Sequence, residues 1–166
     1  IITYDDHANI RLEATGKPMG TFRTYTVKVE GSNITFTNIT IENNAARLGQ
    51  AVALHTEGNH LIFRRCRLLG NQDTIYTGVG NTKVFFDNCY IEGTTDFIFG
   101  PSTAWFENCT IHSKTNSYVT AASTPADVEY GYVFNKCKLT ADEGVDKVFL
   151  GRPWRPYAYT LFMNCK

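Results

Sequence analysis

Two aspartates are the residues best placed to do chemistry in this chain. Asp73 opens the segment Asp73-Thr74-Ile75-Tyr76-Thr77, and Asp96 opens Asp96-Phe97-Ile98-Phe99-Gly100, 23 residues later. Gln50-Ala51-Val52-Ala53-Leu54 stands another 23 residues upstream, and Gln72 flanks the first aspartate. In a chain that folds as stacked rungs of that period, Asp73 and Asp96 lie in register with backbones about 5 Å apart. Two carboxylates so close repel one another, by about 3 kcal/mol at an effective dielectric of about 20, equivalent to about 2 pKa units. Such a pair shares a proton, with one member ionised and the other pushed toward neutrality, which is the division between a nucleophile and a general acid. Both aspartates run straight into β-branched and aromatic residues, which places them at strand starts rather than in turns. A calcium site is another use for two carboxylates, but only the neutral amides of Gln50 and Gln72 stand nearby.

A second repeat identifies the elements that must position this pair. The pattern Phe-x-x-Cys-x-(Ile/Leu) occurs at Phe63/Cys66/Leu68, Phe86/Cys89/Ile91, Phe106/Cys109/Ile111 and Phe134/Cys137/Leu139. Outer copies stand at Phe36/Ile39/Ile41 and Phe162/Cys165. The step from Phe63 to Phe86 equals the step from Asp73 to Asp96, so two independent patterns agree on one rung. Each copy is a short strand, and turn residues such as Gly78, Gly80 and Asn81 fill the intervals, with no helical periodicity. Residues three apart in a straight strand face opposite sides, so Phe and Cys both point inward only where the backbone bends between them. Asn38, Asn88, Asn108 and Asn164 occupy that bend, and Asn tolerates the left-handed conformation a sharp turn needs. Repeats of this size with parallel crossovers predict an all-β, right-handed parallel β-helix, a solenoid of stacked coils. Residues 1–166 form a single such domain. With no polar cap at either end, it reads as the central coils of a longer domain, truncated at both ends.

Composition narrows the partners. Sixteen basic and sixteen acidic residues cancel, and no cationic run suits nucleic acid or anionic lipid. No apolar stretch approaches a membrane span, and no signal peptide is visible at the N-terminus. The five cysteines, an odd number without CxxC pairs, suit neither a disulfide framework nor zinc and read as a small apolar ladder inside the coils. There is no Gly-x-Ser-x-Gly elbow, and His7, His55, His60 and His112 have no evident partner, so a serine-hydrolase mechanism lacks support.

Four segments in order, Gln50-Ala51-Val52-Ala53-Leu54, Gln72-Asp73-Thr74, Asp96-Phe97-Ile98-Phe99-Gly100 and Leu150-Gly151-Arg152-Pro153-Trp154, resemble the signature segments of pectin methylesterases. The resemblance runs from about Thr24 to Lys166 and places residues 1–23 only loosely. It implies that Asp96 is the nucleophile toward a methyl-esterified galacturonate, that Asp73 is the general acid and then base, and that Gln50 and Gln72 stabilise the oxyanion. By the same resemblance Arg152 pairs with the nucleophilic carboxylate, while Trp154, Phe99 and Tyr76 line the substrate groove. It implies no metal and no organic cofactor, a secreted or periplasmic monomer, and methyl-esterified homogalacturonan (pectin) as partner, without nucleic acid or membrane insertion. Where plant members commonly show Thr-Ala-Gln-Gly-Arg, this chain has Thr120-Ala121-Ala122-Ser123-Thr124-Pro125, which points to a bacterial member with a different contact near the cleft.

Two other readings remain on the residues alone. Paired carboxylates also serve a glycosidase, and a lyase shares the scaffold, whereas a non-catalytic glycan-binding β-helix needs no such pair. Asn33-Ile34-Thr35, Asn38-Ile39-Thr40 and Asn108-Cys109-Thr110 match the glycosylation sequon, the last two falling on the bend ladder and reading as structural Asn.

Overall fold

The computed structural model describes all 166 residues and is a parallel β-helix of three six-stranded sheets. One sheet, the cleft sheet, stacks Val27–Val29, Leu54–Thr56, Ile75–Thr77, Ile98–Gly100, Tyr118–Ala122 and Phe149–Gly151. A second carries the phenylalanines on Thr35–Thr37, Leu61–Arg64, Lys83–Asp87, Thr103–Glu107, Tyr132–Asn135 and Thr160–Met163. The third stacks Ile2–Tyr4, Thr40–Asn43, Arg67–Leu69, Tyr90–Gly93, Thr110–Ser113 and Lys138–Ala141. Every pairing between these strands is parallel, and strands adjacent in each sheet come from successive coils.

Like residues fall on like residues, and this fills the core. Phe36, Phe63, Phe86, Phe106, Phe134 and Phe162 pair in register. Their rings stack with centroids 4.3 to 5.2 Å apart and planes tilted by 14° at most. That separation is the spacing of hydrogen-bonded strands, so one backbone ladder sets both the sheet and the ring column. Ile41, Leu68, Ile91, Ile111 and Leu139 make the corresponding column in the third sheet.

The bend between these two columns is left-handed, as the asparagine ladder predicts. Asn38, Asn88, Asn108 and Asn164 have φ of 57°, 53°, 52° and 52°. Arg65 and Lys136 adopt the same conformation at φ 50° and 53°, so the turn is a property of the coil that Asn fits best. The cysteines next to it are free and lie inside, with Cys165 only partly covered. They do more than fill space: the thiols of Cys66, Cys89, Cys109, Cys137 and Cys165 lie 3.3 to 3.6 Å from the carbonyl oxygens of Phe36, Phe63, Phe86, Phe106 and Phe134. Each S–H thus serves the phenylalanine carbonyl one coil back, at the point where the bend interrupts the ladder.

Two expectations need correcting. Gln50 does not share the 23-residue register, because Leu54 pairs with Ile75 and His55 with Tyr76, a step of 21. The amides of Ala53 and Leu54 both donate to the Thr74 carbonyl, a local irregularity that displaces the residues before it. Residues 1–23 are also more ordered than the sequence indicates. Ile2–Tyr4 is a strand paired with Thr40–Asn43, and the following segment is pinned by the Ala8 N–H to the Gln50 carbonyl at 2.8 Å. The buried Asn43 amide donates to the carbonyls of Asp6 at 2.9 Å and Thr24 at 3.0 Å, which brings the turn Thr21–Arg23 beside the cleft sheet. The left-handed bends predict that Asn108→Gly changes stability by less than about 0.5 kcal/mol and Asn108→Val lowers it by about 1–2 kcal/mol, measured by chemical denaturation.

Candidate active site

Asp73 and Asp96 occupy the turns that lead into the cleft-sheet strands Ile75–Thr77 and Ile98–Gly100, not the strand starts themselves. Both have left-handed backbones, φ 66° and 49°, which aspartate tolerates for the same reason asparagine does. The turns stack in register: Ile75 pairs with Ile98 and Tyr76 with Phe99, which preserves the 23-residue step. The Asp73 N–H donates to the Thr95 carbonyl at 3.1 Å, and the Asp96 N–H to the Tyr118 carbonyl at 2.8 Å. Beneath the first turn the buried Thr74 hydroxyl donates to the carbonyls of Glu92 at 2.9 Å and Asn71 at 3.2 Å. Gly93 leaves room for the second, since a methyl group there would stand 2.1 Å from Phe97 Cβ. The local sequence therefore holds both carboxyl groups on rigid backbone at adjacent rungs.

These groups face a cleft of about 440 Å³. Gln50, Gln72, Asp73, Asp96, Phe99, Arg152 and Trp154 line it together, although they come from four different coils. Arg152 holds Asp96 bidentately, Nε to Oδ1 at 3.0 Å and Nη2 to Oδ2 at 2.5 Å, the paired geometry of a guanidinium on a carboxylate. Asp73 makes no such pair, although it is as buried as Asp96, at 8% against 7% exposed. Its pKa rises from the ordinary 3.8 to about 8, chiefly because burial disfavours the charge, with the neighbouring Asp96 adding to the rise and Arg152 opposing it. Repulsion, the cause expected from the spacing alone, is thus secondary to burial. The side-chain amides of Gln50 and Gln72 take no hydrogen bond within the protein and remain free for an oxygen atom in the cleft.

The aromatic residues divide. Trp154 and Phe99 line the cleft with ring centroids 5.8 Å apart, and the Arg155 guanidinium lies 4.8 Å from the Trp154 ring. Tyr76, the register partner of Phe99 on the neighbouring rung, is partly buried beside the cleft. Its ring packs 4.9 Å from Phe99, 4.8 Å from Phe22 and 4.8 Å from His55, so it abuts two rings that line the cleft. Thr21 and Phe22 form a wall that the sequence did not reveal, because their segment lies outside the repeat. Two histidines do have partners, His55 with Glu57 at 2.9 Å and His112 with Asp142 at 2.9 Å, and neither lines the cleft.

A carboxylate fixed by a cation, a neighbouring carboxyl that keeps its proton to about pH 8, and two unengaged amides suit acyl transfer from an ester. The same titration bears on stability. Between pH 4 and 8 the folded chain holds a proton on Asp73 that the unfolded chain releases, so stability falls as pH rises through that window. Asp73→Asn removes this dependence: its melting temperature should exceed the parent's by about 5 °C at pH 8 and match it near pH 4, as read by thermal denaturation across pH.

Comparison with known proteins places this geometry in context. The family model described as Pectinesterase matches residues 7–166. Pectinesterase 31 of Arabidopsis thaliana is 44% identical over 153 residues, covering 88% of this chain and 48% of that protein. The structure of the pectin methylesterase from Yersinia enterocolitica superposes with a TM-score of 0.93 at 29% identity, covering 99% of this chain and 63% of that one. A pectin methylesterase in complex with a hexasaccharide gives a TM-score of 0.90 at 28% identity, covering 98% and 59%. The chain spans about half the length of the curated relatives it matches. With its rung register, its paired aspartates and a match over nearly all its residues, the chain belongs to the pectinesterase family.

Proposed function

We propose that this chain carries the catalytic centre of a pectin methylesterase, which hydrolyses methyl esters of galacturonate in pectin through an aspartyl acyl-enzyme. The observation that supports it most is the asymmetry of two equally buried aspartates, one held by Arg152 and the other without a cation in contact and with its titration moved to about 8. Asp96 attacks the C6 carbonyl carbon of the sugar, and the amides of Gln50 and Gln72 receive the oxyanion that forms. Collapse breaks the bond from C6 to the methoxy oxygen while Asp73 delivers its proton, so methanol leaves and C6 is joined to Asp96 as an anhydride. Asp73, now a carboxylate, takes a proton from water as the water oxygen attacks C6. Asp96 is released as its carboxylate, and the galacturonic acid product gives its proton to solvent and leaves as galacturonate. Each cycle consumes one water and yields one methanol and one proton.

Trp154 and Phe99 offer ring faces for sugar rings along the cleft, and Phe22 adds a third 6.4 Å from Phe99. The partner in this reading is methyl-esterified homogalacturonan acted on by a monomer outside the cytoplasm. No helix of the chain is long and apolar enough to cross a membrane. The bacterial assignment rests on Thr120–Pro125 alone, since the curated relatives named by the comparison are plant and fungal.

A methanol assay on highly methylated pectin, run beside a reducing-sugar assay, separates this reading from a glycosidase or lyase. Methanol without new chain ends is expected; chain ends without methanol would sink the esterase reading. Asp96→Asn should lower kcat by at least about 1,000-fold with the fold intact by circular dichroism, and wild-type turnover would remove Asp96 as nucleophile. Arg152→Ala should lower kcat by about 10- to 100-fold and change KM for pectin little, because the pair it breaks orients the attacking group; a change confined to KM would make it a binding residue.

A further inference from the structure

Arg152 reaches Asp96 from the end of the last cleft-sheet strand, and its side chain is half exposed. A long guanidinium side chain in that position samples several rotamers unless something besides its charge partner holds it. The partner is also lost in the proposed reaction: once Asp96 is acylated, its carboxylate charge is gone. Tyr118 supplies the second hold. Its ring lies 4.8 Å from the Arg152 guanidinium carbon, within cation–π range. Phe149, its register partner on the next rung, stacks on that ring at 5.2 Å and 26°. The carbonyl of the same Tyr118 accepts the Asp96 N–H at 2.8 Å. One residue therefore touches the nucleophile twice, at its backbone directly and at its carboxylate through the arginine.

We propose that Tyr118 is a positioning residue for the nucleophile, keeping the Arg152 guanidinium over Asp96 when that carboxylate is charged and when it is acylated. The assignment rests on the esterase reading above. The phenol hydroxyl makes no hydrogen bond in the structure, so the ring face is the working part and the hydroxyl is dispensable. The main-chain bond to Asp96 survives any substitution at this position, which isolates the ring.

The test is a double-mutant cycle on the full chain with methylated pectin. Tyr118→Leu should lower kcat for methanol release about fivefold to tenfold and leave KM within about twofold, and Tyr118→Phe should keep parent values. In an Arg152→Ala background, Tyr118→Leu should cost nothing further, because the group it steadies is absent. Parent kcat in Tyr118→Leu, an equal loss in both backgrounds, or a loss in Tyr118→Phe as large as in Tyr118→Leu would each overturn the proposal. Tyr118→Met is carried in parallel and judged by the same criteria if the leucine variant does not fold. A parent chain that releases no methanol overturns the esterase reading instead. The Arg152 Nε–H resonance then decides the role of Tyr118 alone: it should shift or broaden in Tyr118→Leu and stay in place in Tyr118→Phe, and an unchanged signal in Tyr118→Leu overturns it.

Discussion

The hydrogen-bonded step from one coil to the next governs everything else in this molecule. Asp73 donates to Thr95 and Asp96 to Tyr118, so each acidic turn rests on the coil that follows it. The same ladder sets the phenylalanine stack, with centroid separations of 4.3 to 5.2 Å. A core column of identical rings and a cleft with two carboxyl groups are thus two readouts of one spacing. Slipping one rung by a residue would turn that rung's phenylalanine out of the column and shift its acid out of register, so packing energy guards the catalytic geometry.

Adjacent carboxyl groups have to be made unequal before they can divide a reaction between them, and the fold does this with position. Asp96 lies where the end of the last cleft-sheet strand can return an arginine to it. Asp73 lies one coil back, as covered as Asp96 but without a cation in contact, so burial goes uncompensated and keeps its proton to about pH 8. The chain thereby accepts a stability that declines as pH rises in exchange for an acid that is loaded at neutral pH.

The acidic turns reuse the device that builds the structural bends. Asn38, Asn88, Asn108 and Asn164 turn the coil with φ between 52° and 57°, and Asp73 and Asp96 do so at 66° and 49°. Both side chains are short enough, and polar enough, to occupy the left-handed region at low cost. Asparagine marks the corner where nothing beyond a turn is needed, and aspartate the corner where a carboxyl group is needed. The thiols follow the same economy, since each fills the core and also meets a carbonyl that the bend leaves open.

Period-dependent features were legible in the residues themselves. The Phe and Cys rows, the left-handed asparagine bends and the adjacency of Asp73 and Asp96 follow from spacing, because a stacked coil turns sequence separation directly into distance. Features that depend on departures from the period were not legible. The step of 21 at Leu54 moves Gln50 off the expected register, and a residue count cannot reveal a bulge. Thr21 and Phe22 enter from outside the repeat, Phe22 lays its ring against Tyr76, and Tyr118 meets Arg152 across 34 residues of chain. The sequence by itself determined the coil, its core and the acidic pair, since those are periodic. Only the tertiary structure decided which acid keeps its proton and what holds the other, since burial and cation contact depend on segments that no repeat relates.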